Sequence, residues 1–529
     1  MSDADADIGA SPGGHLYGFV VVFGVLAVAL PLLYLQNPLH FDEAIYLAVA
    51  ERVTDGGRLY RDAIDHKSPG IFAVAAAGIV YTDAARSVLV AIPGLPEPPA
   101  LTMAVLRLWT YAVVGLTGTL VALLGRQVAD ARTGMVAGIA YLLAAYLPHF
   151  EGYYFLTEPW AVLPTVLAAV LLFRRRPWAD ALAGVALAVG VLFNQTVFLF
   201  GLAFIVYQGL RFRYPDHRSA AEVVRTVRRL VLIGTGFVVP VALVLAVFAA
   251  RGTLADMLYY TFVLPVTSYQ TPVSLSGRAY AAVSLLPVWL LAVGVVAVVG
   301  RNLLRRRAVD DELLFVVLWG IAVSYTGMTS FGAQHQLLFV FPPMAVLAAV
   351  GWQHVAVARP TAVRADGGLA RRWLAVPDRS TAAVVALVVL VVLTAGFNGL
   401  LLGNALAGNH VNEQVESAET VETRVDGPVY TWPPNLYLDV FSDELEYGSR
   451  YYMGVYGPTV DGVIEDLEER SVPYLVVRRD HVTENGRIDP EKAKWLADDK
   501  RPLVVYMNRK YEPVDGTEGY VIFRRTDSG

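Results

Sequence analysis

Residues Phe41–Gly70 read FDEAIYLAVAERVTDGGRLYRDAIDHKSPG and directly follow a long apolar run, His15–Leu35. This segment contains acidic residues, arginines, a histidine and Lys67, which is the only lysine before Lys492. The rest of the sequence as far as residue 402 is largely apolar. A chain that concentrates its charge in one short segment beside an apolar run is expected to do chemistry at that boundary.

The composition indicates a membrane protein. Of 529 residues, 55% are hydrophobic and only 17% are charged, which is typical of a polytopic α-helical membrane protein rather than of a large soluble core. The leader, residues 1–14, is acidic and lacks the positive region of a signal peptide. The absence of cysteine excludes a disulfide framework and a thiolate metal site.

About 20 apolar residues are needed to span a bilayer. By this criterion we predict eleven transmembrane helices, at residues 15–35, 101–124, 134–148, 158–173, 179–193, 196–210, 230–250, 281–300, 312–330, 337–356 and 381–402. The run Ile71–Tyr81 is too short to cross and is predicted to lie in the interface or to re-enter.

Arginine sets the predicted orientation, because connections rich in Lys and Arg stay on the cytoplasmic side. With a cytoplasmic N-terminus, one side receives all the arginine-rich connections, Arg126 and Arg132, Arg174–Arg176, Arg211–Arg229, Arg301–Arg307 and Arg359–Arg372. The connections 36–100, 149–157, 251–280 and 331–336, the short turn at Asn194 and the C-terminal tail then lie outside. We therefore predict a multi-pass protein of the plasma membrane whose unusual polar residues gather on the outer face.

The tail has a different composition. Residues 403–529 hold 24 acidic residues against 14 lysines and arginines. Short strands are predicted at Val429–Trp432, Tyr474–Val477, Leu503–Tyr506 and Tyr520–Phe523, and an amphipathic helix at Val460–Arg470. The predicted organisation is therefore an acidic leader (1–14), a transmembrane domain (15–402) with an outer loop (36–100), and a small extracytoplasmic α/β domain (403–529).

Asp42 and Glu43 begin a predicted helix, Glu43–Val53. In one interpretation Asp42 caps the helix and Glu43 complements its dipole. In the other, a carboxylate at the point where the chain leaves lipid accepts a proton from a substrate hydroxyl, so that the pair is catalytic. Tyr46, on the same helix, is a further candidate.

Asp65–Gly70, DHKSPG, predicts a rigid turn before the interfacial run. Lys67 either reaches lipid headgroups or places a cation on a phosphate next to the backbone N–H groups of the following helix. Arg58 and Arg61 could join it on the phosphate, or pair with Glu51 and Asp62; the sequence leaves this open.

Other candidates lie in later outer connections. Glu151 and Glu158 belong to FEGYYFLTEPW, where Glu158 could simply begin a helix. His335, in FGAQHQLLFVFPP, is either structural or in contact with the phosphate headgroup of a lipid. His66 and His335 with an acidic residue could bind a divalent cation, but their spacing is not a known metal motif and no cofactor is predicted with certainty.

The first loop, DEAIYLAVAERVTDGGRLYRD followed by DHKSPG, resembles that of the GT-C membrane glycosyltransferases. It is most similar to the branch of the protein O-mannosyltransferases and lipid A aminoarabinose transferases. The segments FEGYYFLTEPW and QHQLLFVFPPMAVLAA are also similar to that branch. The resemblance covers most of residues 15–356, and the tail is similar in layout only.

The resemblance implies a polyprenyl-phosphate-linked sugar donor, transfer of a hexose or pentose on the outer face, and a protein or lipid-linked glycan as acceptor, with no nucleic-acid partner. Asp42 matches the family's base or acceptor-orienting acid, and Lys67 matches a lysine that holds the lipid phosphate. Glu158 stands where many members have aspartate. His66 stands where some relatives have an acid.

The mechanism we expect is an inverting displacement, with Asp42 on the acceptor hydroxyl and Lys67, aided by Arg58, Arg61 or His335, on the departing phosphate. A transporter or lipid-linked glycan flippase is the alternative. Transporters commonly place ionisable groups at mid-bilayer on broken helices and carry repeated halves, and neither feature is clear in this sequence. An adhesion protein anchored by many spans would leave the chemistry of the first loop unexplained.

Overall fold

The computed structural model describes residues 19–89, 100–212, 218–268, 275–305, 307–329, 334–357, 379–406, 411–442, 444–453, 457–490 and 501–526. The predicted acidic leader and the arginine-rich connection 359–372 lie outside these residues. The described chain is mostly helical, with one small sheet near its C-terminus.

The first half of the chain contains nine α-helices among the described residues, besides two short 3-10 helices at Pro148–Phe150 and Gln195–Val197. The α-helices are α1 (Phe19–Leu32, with a π-helical turn at Val25–Ala29), α2 (Phe41–Thr54), α3 (Pro69–Leu89), α4 (Ala100–Val128), α5 (Ala131–Ala145), α6 (Thr157–Leu172), α7 (Pro177–Phe193), α8 (Phe198–Arg211) and α9 (Ala220–Ala250). An irregular helical segment, α10 (254–268), follows. The later apolar helices are α11 (Leu275–Ser284), α12 (Leu286–Leu304), α13 (Asp311–Thr329), α14 (Phe341–Val357) and α15 (Arg379–Leu406).

A helix occupies each of the eleven predicted span positions, namely α1, α4–α9 and α12–α15. In the described part of the chain, α4, α9 and α12 are long and apolar enough to cross a membrane by length and composition. Other apolar helices, such as α5, α6 and α7, are shorter. The chain is therefore a helical protein with membrane-spanning character, and the total of eleven crossings stays a prediction.

The helix α3 is longer than the predicted run Ile71–Tyr81, because the helical pattern continues through Thr82–Arg86. Its start is packed closely against the end of α7. A Cβ atom at Gly70 would lie 2.6 Å from the carbonyl oxygen of Leu192, so only glycine fits there. This contact fixes the position of the turn that carries Lys67.

Glycines also bring the long helices together. A Cβ atom at Gly184 on α7 would lie 2.1 Å from the carbonyl oxygen of Ile233 on α9, and one at Gly236 on α9 would lie 2.1 Å from that of Ala181. Small residues allow such close backbone approach, which is a common way for helices to associate in membranes. The core of the bundle is formed mainly by α4–α8, α13 and α14.

The tail forms a small α/β unit. Its elements are α16 (Val411–Glu422), β1 (Val429–Trp432), α17 (Tyr437–Val440), α18 (Val460–Glu469), β2 (Tyr474–Arg478), α19 (Arg501–Lys510), β3 (Tyr511–Gly516) and β4 (Tyr520–Arg525). The sheet order is β1-β2-β4-β3, with β1 and β2 parallel and the other pairs antiparallel.

The predicted strands at β1, β2 and β4 are confirmed, and so is the helix α18. The predicted strand Leu503–Tyr506 is wrong, because this segment lies in the helix α19. Leu503, Val504, Tyr506 and Met507 are buried while Val505 is 63% exposed, which is a helical spacing rather than alternation. A four-residue apolar window is too short to distinguish the two periods.

The two ends of the bundle differ in charge. Glu158 lies in the first turn of α6 and Arg174 follows the end of this helix, so the acidic second loop and an arginine-rich connection lie at opposite ends of one helix. At the arginine end, ion pairs join neighbouring helices, with 2.9 Å between Arg229 and Asp180 and 3.2 Å between Arg175 and Asp311. The tail lies at the other end, where it contacts the first loop.

Candidate active site

The helix α2 presents Asp42 from its first turn. Its cap is His40, whose Nδ1 accepts the N–H of Asp42 at 3.1 Å, while Glu43 Oε2 accepts the N–H of His40 at 2.9 Å. The interpretation of Asp42 as the helix cap is therefore wrong. Its carboxylate instead faces groups from other parts of the chain.

Glu43 forms a buried ion pair with Arg107 of α4. The two oxygens of Glu43 accept Arg107 Nε at 3.0 Å and Nη2 at 2.7 Å, and Oε1 also accepts the N–H of Phe155 at 2.7 Å. Both side chains are almost completely buried, with 1% and 0% of their surfaces exposed. Because its carboxylate is fully occupied by protein donors, the geometry favours a structural role for Glu43, and the predicted catalytic role stays a prediction.

Arg107 also binds the backbone between α1 and α2. Its Nη1 donates to the carbonyl oxygens of Leu35 at 3.0 Å and Asn37 at 2.7 Å, and its Nη2 donates to Pro38 at 2.8 Å. One guanidinium thus joins α4, the end of α1 and the start of α2. These partners lie about 70 residues away in the sequence, so the role of Arg107 at this junction could not be predicted.

Asp42 and Lys67 come together from the two ends of the first loop. Lys67 Nζ lies 3.4 Å from Asp42 Oδ2, and the Tyr46 hydroxyl lies at the same distance from that oxygen. Burial raises the pKa of Asp42, but the ammonium of Lys67 and the imidazoles of His40 and His335 outweigh it and hold the pKa well below its usual value. Asp42 is therefore ionised at neutral pH.

The turn before α3 is tightly constrained. Asp65 is fully buried, and its Oδ1 accepts the N–H of Lys67 at 2.7 Å. Tyr60 has a left-handed backbone, with φ of 67°, and its hydroxyl donates to the Lys67 carbonyl at 2.8 Å. His66 is close to Asp65, with 3.8 Å between Nδ1 and Oδ2, and burial lowers its pKa. A non-glycine residue with a left-handed backbone, such as Tyr60, is strained, and strained residues are often found at functional sites.

Arg58 and Arg61 have other partners. Arg58 Nε lies 2.8 Å from Asp62 Oδ2 and its side chain is 48% exposed. Arg61 lies on the surface, where Nη1 is 3.5 Å from the carbonyl oxygen of Gly252. Of the two alternatives for Arg58, the structure shows the pair with Asp62, and it brings neither arginine into contact with Lys67 among the described residues.

The second loop adds two carboxylates that meet at His335. Glu151 Oε2 lies 2.9 Å from His335 Nδ1 and 3.6 Å from His40 Nε2. His335 Nε2 lies 4.0 Å from both Asp42 Oδ2 and Glu158 Oε1. Burial lowers the pKa of His335, but Glu158, Glu151 and Asp42 outweigh it and raise the pKa to about 9. His335 is therefore an imidazolium among three carboxylates.

Glu158 is completely buried at the start of α6. Its Oε1 accepts hydrogen bonds from Asn194 Nδ2 at 3.2 Å and from Gln336 Nε2. Its Oε2 is buried without a hydrogen-bond partner among the described residues. A buried carboxylate oxygen without a donor is costly, so this atom is suited to a donor from a ligand.

The structure thus brings most of the predicted residues into one site cluster. We use this name for Asp42, Tyr46, Lys67, Glu151, Glu158 and His335, together with His40. His40 was missed by the sequence analysis. Its position directly before the helix that starts at Phe41 was the available signal, although histidine is not a strong N-cap residue.

The cluster also contains a set of residues suited to a divalent cation. His40, Glu151 and His335 each offer one ligand atom, and these atoms lie within 4.8 Å of one another. Two imidazoles and a carboxylate form a donor set that zinc accepts. The sequence suggested a cation site formed by His66 and His335 with an acidic residue. In the structure the histidine that joins His335 in this group is His40, not His66.

The fold of the chain matches solved membrane proteins. An oligosaccharyltransferase of Archaeoglobus fulgidus, solved with a tethered acceptor peptide, aligns with 98% of this chain and 74% of its own, at 13% identity and a TM-score of 0.58. AglB from the same organism was solved with an inhibitory peptide and a dolichol-phosphate. It aligns with 88% of this chain and 70% of its own, at 12% identity and a TM-score of 0.53. ArnT from Cupriavidus metallidurans was solved with bound undecaprenyl phosphate. It aligns with 98% of this chain and 99% of its own, at 15% identity and a TM-score of 0.56.

No protein-family model and no curated protein sequence matches the chain. At these low identities the structural likeness establishes the fold alone. The resemblance to GT-C proteins that was found in the first loop is thereby confirmed at the level of the fold.

Proposed function

We propose that this chain is a membrane glycosyltransferase that moves a sugar from a polyprenyl-phosphate-linked donor to an acceptor. The observation that carries the proposal is the pair formed by Asp42 and Lys67, which is partly buried at the start of α2 and lies beside His335. It occurs in a fold shared with proteins solved with dolichol-phosphate and undecaprenyl phosphate. A carboxylate at this position is suited to activating the hydroxyl of the acceptor, and a neighbouring cation is suited to stabilising the phosphate that leaves the donor.

Asp42 is proposed to act on the acceptor. As an ionised carboxylate it accepts a hydrogen bond from the acceptor hydroxyl and orients the oxygen toward the anomeric carbon. When a phosphate engages the ammonium of Lys67, Asp42 loses its nearest cationic partner. Its pKa then rises toward the range in which it takes the hydroxyl proton.

Lys67 is proposed to hold the donor phosphate. It lies two residues before Pro69, where α3 begins, so an anion beside it also meets the N–H groups of the first helical turn. During the displacement, the acceptor oxygen bonds to the anomeric carbon, and the bond from that carbon to the phosphate oxygen breaks. The phosphate leaves with the electron pair, and Lys67 stabilises the charge that develops on it.

Glu158 is proposed to bind the sugar rather than to act as the base. Its Oε2 is buried and has no hydrogen-bond donor in the described part of the chain, and a sugar hydroxyl would supply one. His335 stands between Glu158 and Asp42, and as a cation it lies near the path of the departing phosphate. Metal binding by His40, Glu151 and His335 would require His335 to give up its proton, so the metal ion would replace the imidazolium as the cation at this position.

The transporter alternative receives less support. Ionisable groups of transporters commonly lie at the midplane on interrupted helices, whereas the site cluster lies at the ends of α2 and α6 and before α3 and α14. No observation in the described residues specifically favours transport.

The test is sugar transfer in purified membranes from a radiolabelled polyprenyl-phosphate sugar to endogenous acceptors. We expect Lys67→Met to lower the transfer rate by about 10²–10³-fold, because one well-placed electrostatic contact supplies about 3–4 kcal/mol. Lys67→Arg should retain part of the activity, and Asp42→Asn should lose most of it.

Asp55→Asn is the matched control, because Asp55 is exposed in the same loop. Normal transfer by Lys67→Met would show that the phosphate assignment is wrong. Comparing surface glycans of a deletion strain with those of its parent would then identify the sugar and the acceptor.

A further inference from the structure

The C-terminal domain is hydrogen-bonded to both stretches that carry the reacting side chains. Gln414 of α16 binds the backbone of Leu39 in two directions. Its Oε1 accepts the N–H of Leu39 at 2.5 Å, and its Nε2 donates to the Leu39 carbonyl at 3.2 Å. Leu39 directly precedes His40, the cap of α2, and therefore lies three residues before Asp42.

The second contact is on the Lys67 side. The N–H of Ile64 donates to the carbonyl oxygen of Arg450 at 2.7 Å, and the N–H of Tyr452 donates to the Ile64 carbonyl at 3.0 Å. Arg450 is itself fixed, because Asp466 accepts its N–H and its Nε, each at 2.8 Å. This short β-bridge lies three residues before Lys67.

We propose that the C-terminal domain is a positioning part of the active site, in which Gln414 and the Arg450–Tyr452 bridge set the separation of Asp42 and Lys67. The inference rests on the proposed function. It goes beyond that function because it assigns a role in the reaction to a domain that contributes no residue to the site cluster.

The physical argument follows from burial and from distance. Leu39 and Ile64 are 5% and 3% exposed, so removing the groups that bind them would leave buried backbone N–H and C=O groups without partners, which is costly. Asp42 and Lys67 are held by separate backbone segments, and each segment has its own anchor on the same domain. A shift of about 1 Å in a reacting group can lower a rate by about 10²-fold.

A covering domain and a positioning domain predict different kinetics. A cover changes access, and therefore the KM for the donor. A positioning contact leaves donor binding nearly unchanged and lowers kcat, because only the geometry of the reacting groups is altered. The variant must therefore remove the Gln414 hydrogen bonds while it preserves the packing of α16.

The experiment compares full-length Gln414→Leu with Glu413→Leu in proteoliposomes. Glu413 is the neighbouring, exposed residue of the same helix. We expect Gln414→Leu to lower kcat by about tenfold with less than a twofold change in donor KM. Gln414→Glu, which keeps the acceptor for the Leu39 N–H, should recover part of the rate. Glu413→Leu should behave like the wild type.

Hydrogen exchange of the peptide 38–46 is the second readout, and it does not depend on catalysis. We expect faster exchange in Gln414→Leu and no change in Glu413→Leu. If Gln414→Leu does not fold, Gln414→Asn, which is one methylene shorter, replaces it. An unchanged kcat, or a changed donor KM alone, would overturn the positioning role. Absence of transfer by the wild type would instead refute the proposed function, while an unchanged exchange rate would still refute the Gln414 contact.

Discussion

The contribution of a charged side chain to the stability of this protein depends on how deeply the side chain is buried. The chain has an ion pair within the bundle, Glu43 with Arg107, and an ion pair on the surface of the first loop, Arg58 with Asp62. Removing one member of a buried pair leaves the other charge without compensation, whereas an exposed pair is screened by water.

We therefore expect Glu43→Gln to lower the free energy of unfolding by about 3–5 kcal/mol. Asp62→Asn should lower it by at most about 1 kcal/mol, since its partner is exposed. Denaturant titration of the detergent-solubilised variants measures both. Equal losses in the two variants would contradict the assignment of Glu43 as a structural residue.

His335 provides a pH-dependent prediction. Its pKa is raised to about 9, above the ordinary value of 6.5, so its stabilising contribution is complete below pH 6.5 and is lost as the pH rises through 9. His335→Gln should therefore lower the melting temperature markedly at pH 6 and little at pH 10. His354→Gln, in α14 at the opposite end of the bundle, is the control. A loss that does not depend on pH would exclude a charged His335.

At the residue scale, the sequence predicted that charged residues of separate outer connections lie close together, and the structure brings six of the candidate residues into the site cluster. Asp42 and Lys67 were singled out because they are charges at a membrane boundary, and such charges are costly unless they are used. The role of Glu43 could not be predicted, because its partner Arg107 lies 64 residues away on another helix. The distinction between adjacent acids depends on which way each side chain points, and this is decided by tertiary packing.

Among the elements, α17 connects the C-terminal domain to α2, the helix that carries Asp42. This short helix packs against α2. Asp439 of α17 faces Arg52 of α2 and accepts a backbone hydrogen bond from Tyr447. Burial raises the pKa of Asp439 to about 7, the Tyr447 N–H and Arg52 oppose the shift, and Glu446 adds to it.

A carboxyl group with a raised pKa in the folded state destabilises the fold when it is ionised. The penalty is absent below the unfolded-state value of about 4 and complete above about pH 7. Asp439→Asn should therefore raise the melting temperature at pH 8 and leave it nearly unchanged at pH 4. Asp461→Asn, at an exposed position of α18, should have no effect at either pH. Destabilisation at pH 8 would show that the Asp439 charge is favourable.

Elements were predictable where the pattern was long. The apolar helices and the amphipathic α18 each extend over ten or more residues, so their periods are well defined. The apolar run Leu503–Tyr506 in α19 is only four residues long, which is too short to distinguish a strand from a helix. The strand β3 was missed, since Tyr511–Gly516 contains proline and glycine and is largely exposed as an edge strand.

At the scale of the whole molecule, charge separates the two ends. The site cluster, the first loop and the C-terminal domain lie at one end, and the ion pairs of Arg175, Arg211 and Arg229 lie at the other. This arrangement agrees with the grouping of connections that the arginine distribution predicted. Which end faces outward remains a prediction of the positive-inside rule.

Because the native chain has no cysteine, single cysteines can report its orientation. We expect a membrane-impermeant maleimide to label Asp55→Cys and Glu413→Cys in intact cells. Arg228→Cys, on the exposed surface of α9, should be labelled only after permeabilisation. The reverse pattern would invert the orientation and place the reaction on the cytoplasmic face.

The guanidinium of Arg107 gives the reaction a link to bilayer thickness. The helix α4, with 29 residues, is about 44 Å long and exceeds a hydrocarbon layer of about 30 Å, so we expect it to tilt in a bilayer. Arg107 fastens the α1–α2 junction to this helix, and the depth of Asp42 therefore follows the tilt of α4. Lipids with longer or shorter acyl chains would shift the carboxylate relative to the headgroups, so the turnover of the reconstituted protein should pass through an optimum as acyl-chain length is varied.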